Sequence, residues 1–374
     1  MSPLTDLAAA VADALGGVVD PEIRRPITEL GMVAGVSVDA EGTASVGLKL
    51  TIVGCPAAES LERSVREAAL GVRGVTRADV AVTVMTPTER RELTERLRRG
   101  RARTAQFGPD SLTRVLVVAS GKGGVGKSTL TANLAVGLAA RGLTVGVVDA
   151  DVHGFSIPGL LGLGGARPTR VDDMILPPIG YGVKTISIGM FLDEESGSRR
   201  AVAWRGPMLH RAIQQFVTDV FFGDLDVLLL DLPPGTGDVA LSVGQLLPQS
   251  EVIVVTTPQA AAAEVAVRAG SLAAQTGQRI AGVIENMAGL VQPDGSVLPL
   301  FGSGGGATVA AALDAPLLGS VPLSVALREG GDAGAPVVLS HPDDPAARAI
   351  QAIAVQLQER TDSLAGRKLP VSPA

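Results

Sequence analysis

Five short apolar runs in the second part of the chain contain almost no polar positions. They occupy residues 115–119, 145–148, 227–230, 252–255 and 280–284. Strands that are buried on both faces have this pattern, and helical stretches separate the runs. The pattern predicts an α/β fold with a doubly wound, mostly parallel sheet. Because such sheets bind ligands at the carboxyl ends of their strands, the residues that follow each run are the first candidates for chemistry.

The first 87 residues follow a different pattern. Apolar residues recur at helical spacing from Leu4 to Leu15, and Gly16 and Gly17 end this helix. Alternating runs at 33–38 and 44–52 predict a hairpin, which is followed by a helix over 58–70 and a strand over 75–84. Residues 1–87 are therefore predicted to form a small α+β domain that precedes the parallel sheet.

A charged segment joins the two patterns. Residues 88–112 carry opposite charges at three- and four-residue spacing, which favours a solvated helix or linker. A patch for nucleic acid or for an acidic partner is the alternative interpretation of its arginines. The larger α/β domain is then predicted over 113–362, with a tail at 363–374.

Composition narrows the class of protein. Of the 374 residues 46% are hydrophobic and 19% are charged, so the bulk of the chain can bury a core and is not disordered. One cysteine excludes a disulfide framework and any zinc or iron–sulfur site built from several cysteines of one chain. The net charge of −6 does not favour a nucleic-acid partner. Asp6 and Asp13 near the N-terminus and the lack of a long apolar stretch predict a cytoplasmic protein without a membrane partner.

A glycine-rich loop follows the first apolar run. The sequence Gly-Lys-Gly-Gly-Val-Gly-Lys-Ser at 121–128 satisfies the P-loop spacing Gly-x4-Gly-Lys-Ser. Glycines let backbone N–H groups wrap a phosphate, and the next helix adds the dipole of its N-terminus. Lys127 is predicted to reach the β- and γ-phosphates, and Ser128 to ligate Mg²⁺. The predicted nucleotide-binding residues of this loop are Gly121, Lys122, Gly123, Gly124, Val125, Gly126, Lys127, Ser128 and Thr129.

A dinucleotide site is the competing interpretation of the same loop. Gly121, Gly123 and Gly126 also satisfy Gly-x-Gly-x-x-Gly, and Asp149 at the next strand end could imitate a ribose-binding acid. A dinucleotide site has no use for an adjacent lysine and serine, nor for a second acidic strand end. Both features favour a nucleoside triphosphate.

Acidic residues end two further runs. Asp231 follows the run 227–230, where P-loop enzymes hold Mg²⁺ through water. Asp149 and Asp151 follow the run 145–148; one of the two is expected to cap the next helix, and Asp151 is predicted to orient the attacking water. In the loop after Asp231, Gly235 or Gly237 is predicted to offer a backbone N–H to the γ-phosphate, as part of a switch that orders with the triphosphate.

Lys122 is not required by a generic P-loop. With Lys127 and Ser128 it gives a pattern that resembles the deviant Walker A ATPases, in which the extra lysine acts across a dimer interface. Within that group the chain closely resembles the Mrp/ApbC family of iron–sulfur cluster carrier ATPases, through segments at 149–158, 204–208, 231–238, 256–259, 284–287, 301–306 and 319–322. Residues 20–22, 29–31 and 54–56 make the first domain similar to the MIP18-type domain of these proteins.

The resemblance implies an ATP-hydrolysing homodimer that binds iron–sulfur clusters and transfers them to apoproteins, together with assembly proteins. It implies that Lys122 contacts the phosphates bound to the partner subunit, that Asn286 hydrogen-bonds adenine and that Pro322 lines the base. A guanine-binding enzyme would place Asn-Lys-x-Asp at this strand end. The chain has Asn-Met-Ala-Gly at 286–289, so ATP with Mg²⁺ is the expected ligand.

The chain departs from this family at the cluster ligands. Members carry Cys-x-x-Cys shortly after the Asn-Met pair, whereas residues 286–296 contain no cysteine. The other candidate ligands are Cys55, carboxylates, His153, His210 and His341. His153 lies next to the proposed active site, and a structural role is the alternative interpretation of this histidine. Cys55 matches the reactive cysteine of the MIP18-type domain, and a following helix N-terminus would favour its thiolate. A buried, inert thiol is the alternative.

Three functions compete. The first is the ATP-driven cluster carrier, with Cys55 as a possible cluster ligand. The second is an ATP-driven chaperone or metallochaperone without a stably bound cluster. The third is a ParA/MinD-like positioning ATPase, which needs a basic face or an amphipathic tail; residues 366–374 provide neither.

Overall fold

The computed structural model describes residues 3–98, 106–108, 111–151, 154–191 and 206–362. The chain divides into two compact units. The first consists of Met1–Ala102 with Pro168–Pro177, and the second of Arg103–Arg167 with Pro178–Ala374.

The first unit is a small α+β fold. Its helices and strands are α1 (Pro3–Leu15), β1 (Val33–Val38), β2 (Thr43–Leu50), α2 (Ala58–Leu70), β3 (Arg77–Val84) and α3 (Pro87–Arg98). β1 and β2 pair antiparallel, and β3 pairs parallel to β2. Leu15, Leu48 and Leu61 are buried, so α1, the sheet and α2 share a core. The predicted hairpin and both predicted helices of this part are present.

Nine strands form the main sheet of the second unit. The strands after β3 are β4 (Arg114–Ser120), β5 (Val145–Asp149), β6 (Thr169–Val171), β7 (Met174–Leu176), β8 (Ile179–Gly180), β9 (Val183–Ser187), β10 (Val227–Asp231), β11 (Glu251–Thr256), β12 (Arg279–Val291), β13 (Val297–Leu298) and β14 (Leu317–Leu323). The sheet order is β13-β12-β11-β4-β10-β5-β9-β8, with β14 paired to β12. Only the pairs β8–β9 and β12–β13 are antiparallel among the described strands of this sheet. All five apolar runs lie in these strands.

Helices cover the sheet on both faces. They are α4 (Lys127–Ala140), α5 (Ile157–Leu160), α6 (Gly206–Asp219), α7 (Asp238–Leu246), α8 (Ala260–Gln275), α9 (Gly305–Ala312), α10 (Val325–Ala333), α11 (Val337–Ser340) and α12 (Pro345–Asp362). Leu116 and Val118 of β4 belong to the core shared with α4 and α12, whereas α8 contacts β4 and β11 without contributing to that core. This arrangement confirms the predicted doubly wound, mostly parallel α/β fold.

Two findings concern the boundaries of the predicted domains. Helix α3 is not fully solvated, because Leu93 and Leu97 are buried in the first unit. The hairpin of β6 and β7 also belongs to that unit, although its residues fall within the range 113–362. Arg90 and Arg98 of α3 form ion pairs with Asp172 and Asp173 of the hairpin. Residues 99–105, 109–110 and 363–374 of the predicted linker and tail lie outside the described residues.

No helix in the described part of the chain is both long and apolar enough to cross a membrane.

Candidate nucleotide site

The phosphate loop occupies the turn between β4 and α4. Gly124 and Gly126 have φ angles of +78° and +79°, which side chains rarely adopt. A Cβ atom on Gly126 would lie 2.2 Å from Asn286 Nδ2, whereas one on Gly124 would meet nothing within 4 Å. The loop thus leaves open space at Gly124 and packs tightly at Gly126, as a phosphate cradle backed by the protein requires.

Three predicted residues meet behind this loop. Lys127 Nζ lies 2.6 Å from Asp231 Oδ2, and Ser128 Oγ donates a hydrogen bond of 2.6 Å to the same oxygen. Thr131 Oγ1 donates to Asp231 Oδ1 at 2.8 Å. Lys127 and Asp231 are 6% and 0% exposed, so their ion pair is shielded from solvent. The structure therefore brings together the predicted phosphate-binding lysine and both predicted magnesium residues.

The donor set at this point suits Mg²⁺. The Ser128 hydroxyl and the Asp231 carboxylate supply hard oxygen atoms, which Mg²⁺ prefers, and Thr131 fixes the second carboxylate oxygen. Ser128 would hold the ion directly and Asp231 through water.

The two aspartates after β5 have different surroundings. Asp149 accepts hydrogen bonds from Asp151 N, Ile157 N and Ser187 Oγ, so it holds the loop and the start of α5 in place. Burial and the neighbouring Asp231 carboxylate raise the pKa of Asp149 to about 7. Asp151 is 8% exposed and accepts a hydrogen bond from Gly154 N. Asp149 has the contacts of a capping residue, and the water-orienting role of Asp151 stays a prediction.

The predicted switch loop is bonded to the first strand. Gly235 has a φ of +95°, and its N–H donates to Ser120 O at 2.8 Å. This N–H is therefore engaged within the protein, and it would have to leave Ser120 before it could bind a γ-phosphate.

A cavity of about 570 Å³ opens beside the phosphate loop. Asn286, Pro322 and Thr129 line it, together with Phe155, Met287, Leu323, Leu327 and Arg328. Asn286 is 4% exposed, and its Nδ2 donates to Val125 O at 2.8 Å, so the amide supports the loop backbone while bordering the cavity. A largely apolar pocket with a few polar groups suits a planar base. Both residues predicted to contact the base thus lie at one cavity.

Lys122 lies outside the buried cluster. Its Nζ donates to Gln259 Oε1 at 3.1 Å, and this contact is exposed to solvent. The Lys122 side chain is therefore separate from the Lys127–Asp231 pair, as a lysine that serves another subunit would be.

Cys55 lies in the first unit among carboxylates. It is 6% exposed, and its thiol donates to Glu22 Oε2 at 3.8 Å; Glu22 Oε1 in turn accepts a 2.6 Å hydrogen bond from Thr169 Oγ1. Burial, with smaller contributions from Glu22 and Asp20, raises the pKa of Cys55 to about 11. The backbone of Ala57 at the start of helix α2 favours the thiolate, as expected, but burial and the negative neighbours outweigh this contribution.

Two of the three histidines, His210 and His341, lie within the described residues. His153 lies outside the described residues. Within the described ranges no group of three or more His, Cys, Asp or Glu side chains could hold a metal ion, and this includes the surroundings of His210 and His341.

Sequence reasoning missed three participants. Thr131 lies one turn after Lys127 on a buried helix face, and a polar residue at that spacing is a signal that could have identified it. Glu22 and Thr169 are 147 positions apart in the sequence. No local pattern connects them.

Two family models match the chain. One, described as "NUBPL iron-transfer P-loop NTPase", covers residues 111–358, and the other, described as "Iron-sulfur cluster assembly protein", covers residues 8–82. These ranges correspond to the main parts of the two structural units.

Relatives match over nearly the full length. The chain is 54% identical to the iron-sulfur cluster carrier protein of Mycobacterium bovis, over 98% of this chain and 97% of that protein. It is 39% identical to the protein of the same name from Synechocystis, over 93% of this chain and 96% of that one.

Solved structures support the fold of the second unit. The nucleotide-binding protein of Archaeoglobus fulgidus in complex with ADP aligns with a TM-score of 0.51 at 36% identity, over 59% of this chain and 86% of that one. MinD of Pyrococcus horikoshii, complexed with Mg-ADP, aligns with a TM-score of 0.51 at 26% identity, over 69% and 100% of the two chains.

The lysine, serine and aspartate behind the glycine-rich loop thus lie within the range that the P-loop NTPase model matches. The chain belongs to the family of NUBPL-type iron-transfer P-loop NTPases, with an iron–sulfur assembly domain at its N-terminal end.

Proposed function

We propose that this protein is an ATP-hydrolysing, dimeric, cytoplasmic carrier that transfers iron–sulfur clusters to apoproteins. The observation that carries the proposal is that the two lysines of the phosphate loop have different surroundings. Lys127 is buried against Asp231, whereas Lys122, at the start of the same loop, is half-buried and makes a solvent-exposed contact with Gln259.

The residues of one chain bind and prepare the nucleotide. Loop N–H groups hold the phosphates, Lys127 neutralises the β- and γ-phosphates, and Asn286 and Pro322 border the base. Ser128 and Asp231 would hold Mg²⁺, which would supply Lewis-acid withdrawal of charge from the phosphates when bound. Asp151 orients the attacking water. Gly235 or Gly237 binds the γ-phosphate after the bond to Ser120 opens.

The partner subunit completes the site through its Lys122. A positive charge supplied in trans stabilises the negative charge that develops on the transferred phosphoryl group. Hydrolysis therefore requires the dimer. Lys127→Ala should abolish ATP binding, because it removes the phosphate-contacting charge. Lys122→Ala should keep binding and suppress hydrolysis.

The cluster is cargo in this scheme, and Cys55 is its proposed protein contact. A thiol with a raised pKa must lose its proton before it can bind iron, and Glu22 Oε2 lies 3.8 Å from the sulfur as an acceptor. A dimer supplies two such thiols.

One observation favours a second candidate function. Because the described residues include no ready-made cluster of metal ligands, an ATP-driven metallochaperone without a stably bound cluster remains the alternative. In that case Cys55 would contact client proteins.

Mixing two inactive variants tests the dimeric mechanism. Lys122→Ala keeps its own Asp151, and Asp151→Asn keeps its own Lys122, while both retain Lys127 for ATP binding. In a mixed dimer one of the two sites is complete, so an equimolar mixture should recover about a quarter of the wild-type turnover. A mixture as inactive as its components would contradict action in trans.

A further inference from the structure

The environment of Lys122 identifies a residue that controls its availability. Lys122 Nζ donates to Gln259 Oε1, the side chain at the N-cap of helix α8. We propose that Gln259 is a positioning residue that holds Lys122 on its own subunit between encounters and releases it to the partner. This inference rests on the proposed role of Lys122 in trans.

The backbone on both sides of this contact is fixed. A Cβ on Gly121 would lie 2.2 Å from the carbonyl carbon of Val265, so the loop before Lys122 packs directly against α8. Ser120 Oγ donates to Lys122 O at 3.1 Å and holds the peptide of the lysine. Packed main chain therefore fixes the separation of the two backbones from which the Lys122 and Gln259 side chains extend.

Gln259 has no other role in the described contacts of its helix. Its side chain makes no capping hydrogen bond to α8, while its backbone carbonyl accepts from Ala262 N and Ala263 N. The amide oxygen is thus free to accept from the ammonium group.

The hydrogen bond between Lys122 and Gln259 is of a kind that can break readily. A neutral amide orients an exposed ammonium group but binds it more weakly than a carboxylate, because no charge is paired. A carboxylate at position 259 would retain Lys122 on its own subunit through a charge–charge attraction, which salt screens. An apolar side chain at this position would leave Lys122 without this hydrogen bond.

The direct test measures how accessible the Lys122 amine is. Free protein without nucleotide is treated briefly with an acetylating reagent, and the labelling of Lys122 is compared by mass spectrometry with that of Lys49. Gln259→Glu should slow the relative labelling of Lys122 about fivefold at low salt, and high salt should remove the difference. Gln259→Ala should speed it about twofold.

Gln275→Glu is the matched control. It adds the same charge to an exposed position at the other end of α8, about 24 Å away by helical rise, and should leave Lys122 labelling unchanged. ATP turnover, measured on the same variants, should move with the labelling.

The outcomes separate this inference from the proposed function. Labelling of Lys122 that is the same in wild type, Gln259→Glu and Gln259→Ala would overturn the hold by Gln259. Labelling that shifts as expected, with turnover unchanged in every variant, would support the hold and contradict the role of Lys122 in trans.

Discussion

Asp231 shows how single residues shape the candidate site for magnesium and phosphate. Its carboxylate lies within hydrogen-bond distance of Ser128 and Thr131 and forms an ion pair with Lys127. Each neighbour places a donor against a carboxylate that is fully buried. A carboxylate held by three partners has one orientation, and this orientation is what a metal-water contact needs.

Thr131 is expected to matter although it touches no ligand. Thr131→Val keeps the shape of the side chain and removes the hydroxyl that fixes Asp231 Oδ1. Turnover of ATP should fall about tenfold, as is typical when a residue that orients a metal ligand is lost. Steady-state kinetics at varied Mg²⁺ measure this change.

Thr131→Ser is the matched control, since it restores the hydroxyl and should recover most of the activity. Equal turnover in the valine and serine variants would remove the positioning role of Thr131.

Cys55 should react slowly at neutral pH. Its pKa is raised to about 11, chiefly by burial, so the thiolate fraction and the alkylation rate should increase about tenfold per pH unit from pH 8 to pH 10. Glu22→Gln removes a negative neighbour, which should lower the pKa of Cys55 and speed alkylation at pH 8. Stopped-time labelling with iodoacetamide across this pH range measures both effects.

Glu41→Gln, in the turn between β1 and β2, is the control for a change of net charge. If alkylation of the wild type is already at its plateau at pH 8, the burial argument for Cys55 is wrong.

At the scale of elements, the apolar runs predicted the strands well because each run is buried on both faces. Strand β12 shows where this reasoning ends: the run 280–284 is part of a strand that continues to Val291. Asn286 therefore lies within a strand, where pairing with β14 fixes its direction. The extension contains polar residues and pairs with β13, so its strand character depends on contacts between distant segments.

The hairpin of β6 and β7 was beyond the reach of sequence reasoning for the same reason. Each strand has three residues, too few for a periodic signal, and its ion pairs run to α3, far away in sequence. The burial of Leu93 and Leu97 was hidden by the charged residues around them. The phosphate loop, by contrast, could be recognised because its chemistry depends on residues that are adjacent in the chain.

The loop–helix junction at Gly126 gives a prediction at this scale. Gly126→Ala places a Cβ at a φ of +79° and 2.2 Å from Asn286 Nδ2, so both the loop and the amide must shift. ATP affinity should fall at least about tenfold, as expected when a phosphate cradle is displaced. Titration with a fluorescent ATP analogue measures this affinity.

Gly142→Ala imposes a φ of +92° just after helix α4, but its Cβ would meet nothing within 4 Å. Both variants should lose stability by about 1 kcal/mol from the left-handed backbone. An equal loss of ATP affinity in both would show that strain, rather than the close approach to Asn286, is responsible.

At the scale of the complete chain, the ATPase unit and the thiol-bearing unit are linked by the polypeptide at three places. The chain passes between units at Ala102, at Arg167 and at Pro177. Thr169, which bonds Glu22 beside Cys55, belongs to a segment that the ATPase sequence encloses on both sides. The carrier proposal thus assigns the nucleotide chemistry and the cargo contact to separate units of one protein.

Anaerobic reconstitution with iron and sulfide is the measurement that tests the carrier function most directly. The wild-type protein should gain visible charge-transfer absorption and should transfer its cluster to an apoprotein acceptor faster with ATP than without. The Cys55→Ser variant should show no such absorption, although it should still bind ATP. A reconstituted wild-type protein that stays colourless would contradict the bound cluster and favour the metallochaperone alternative.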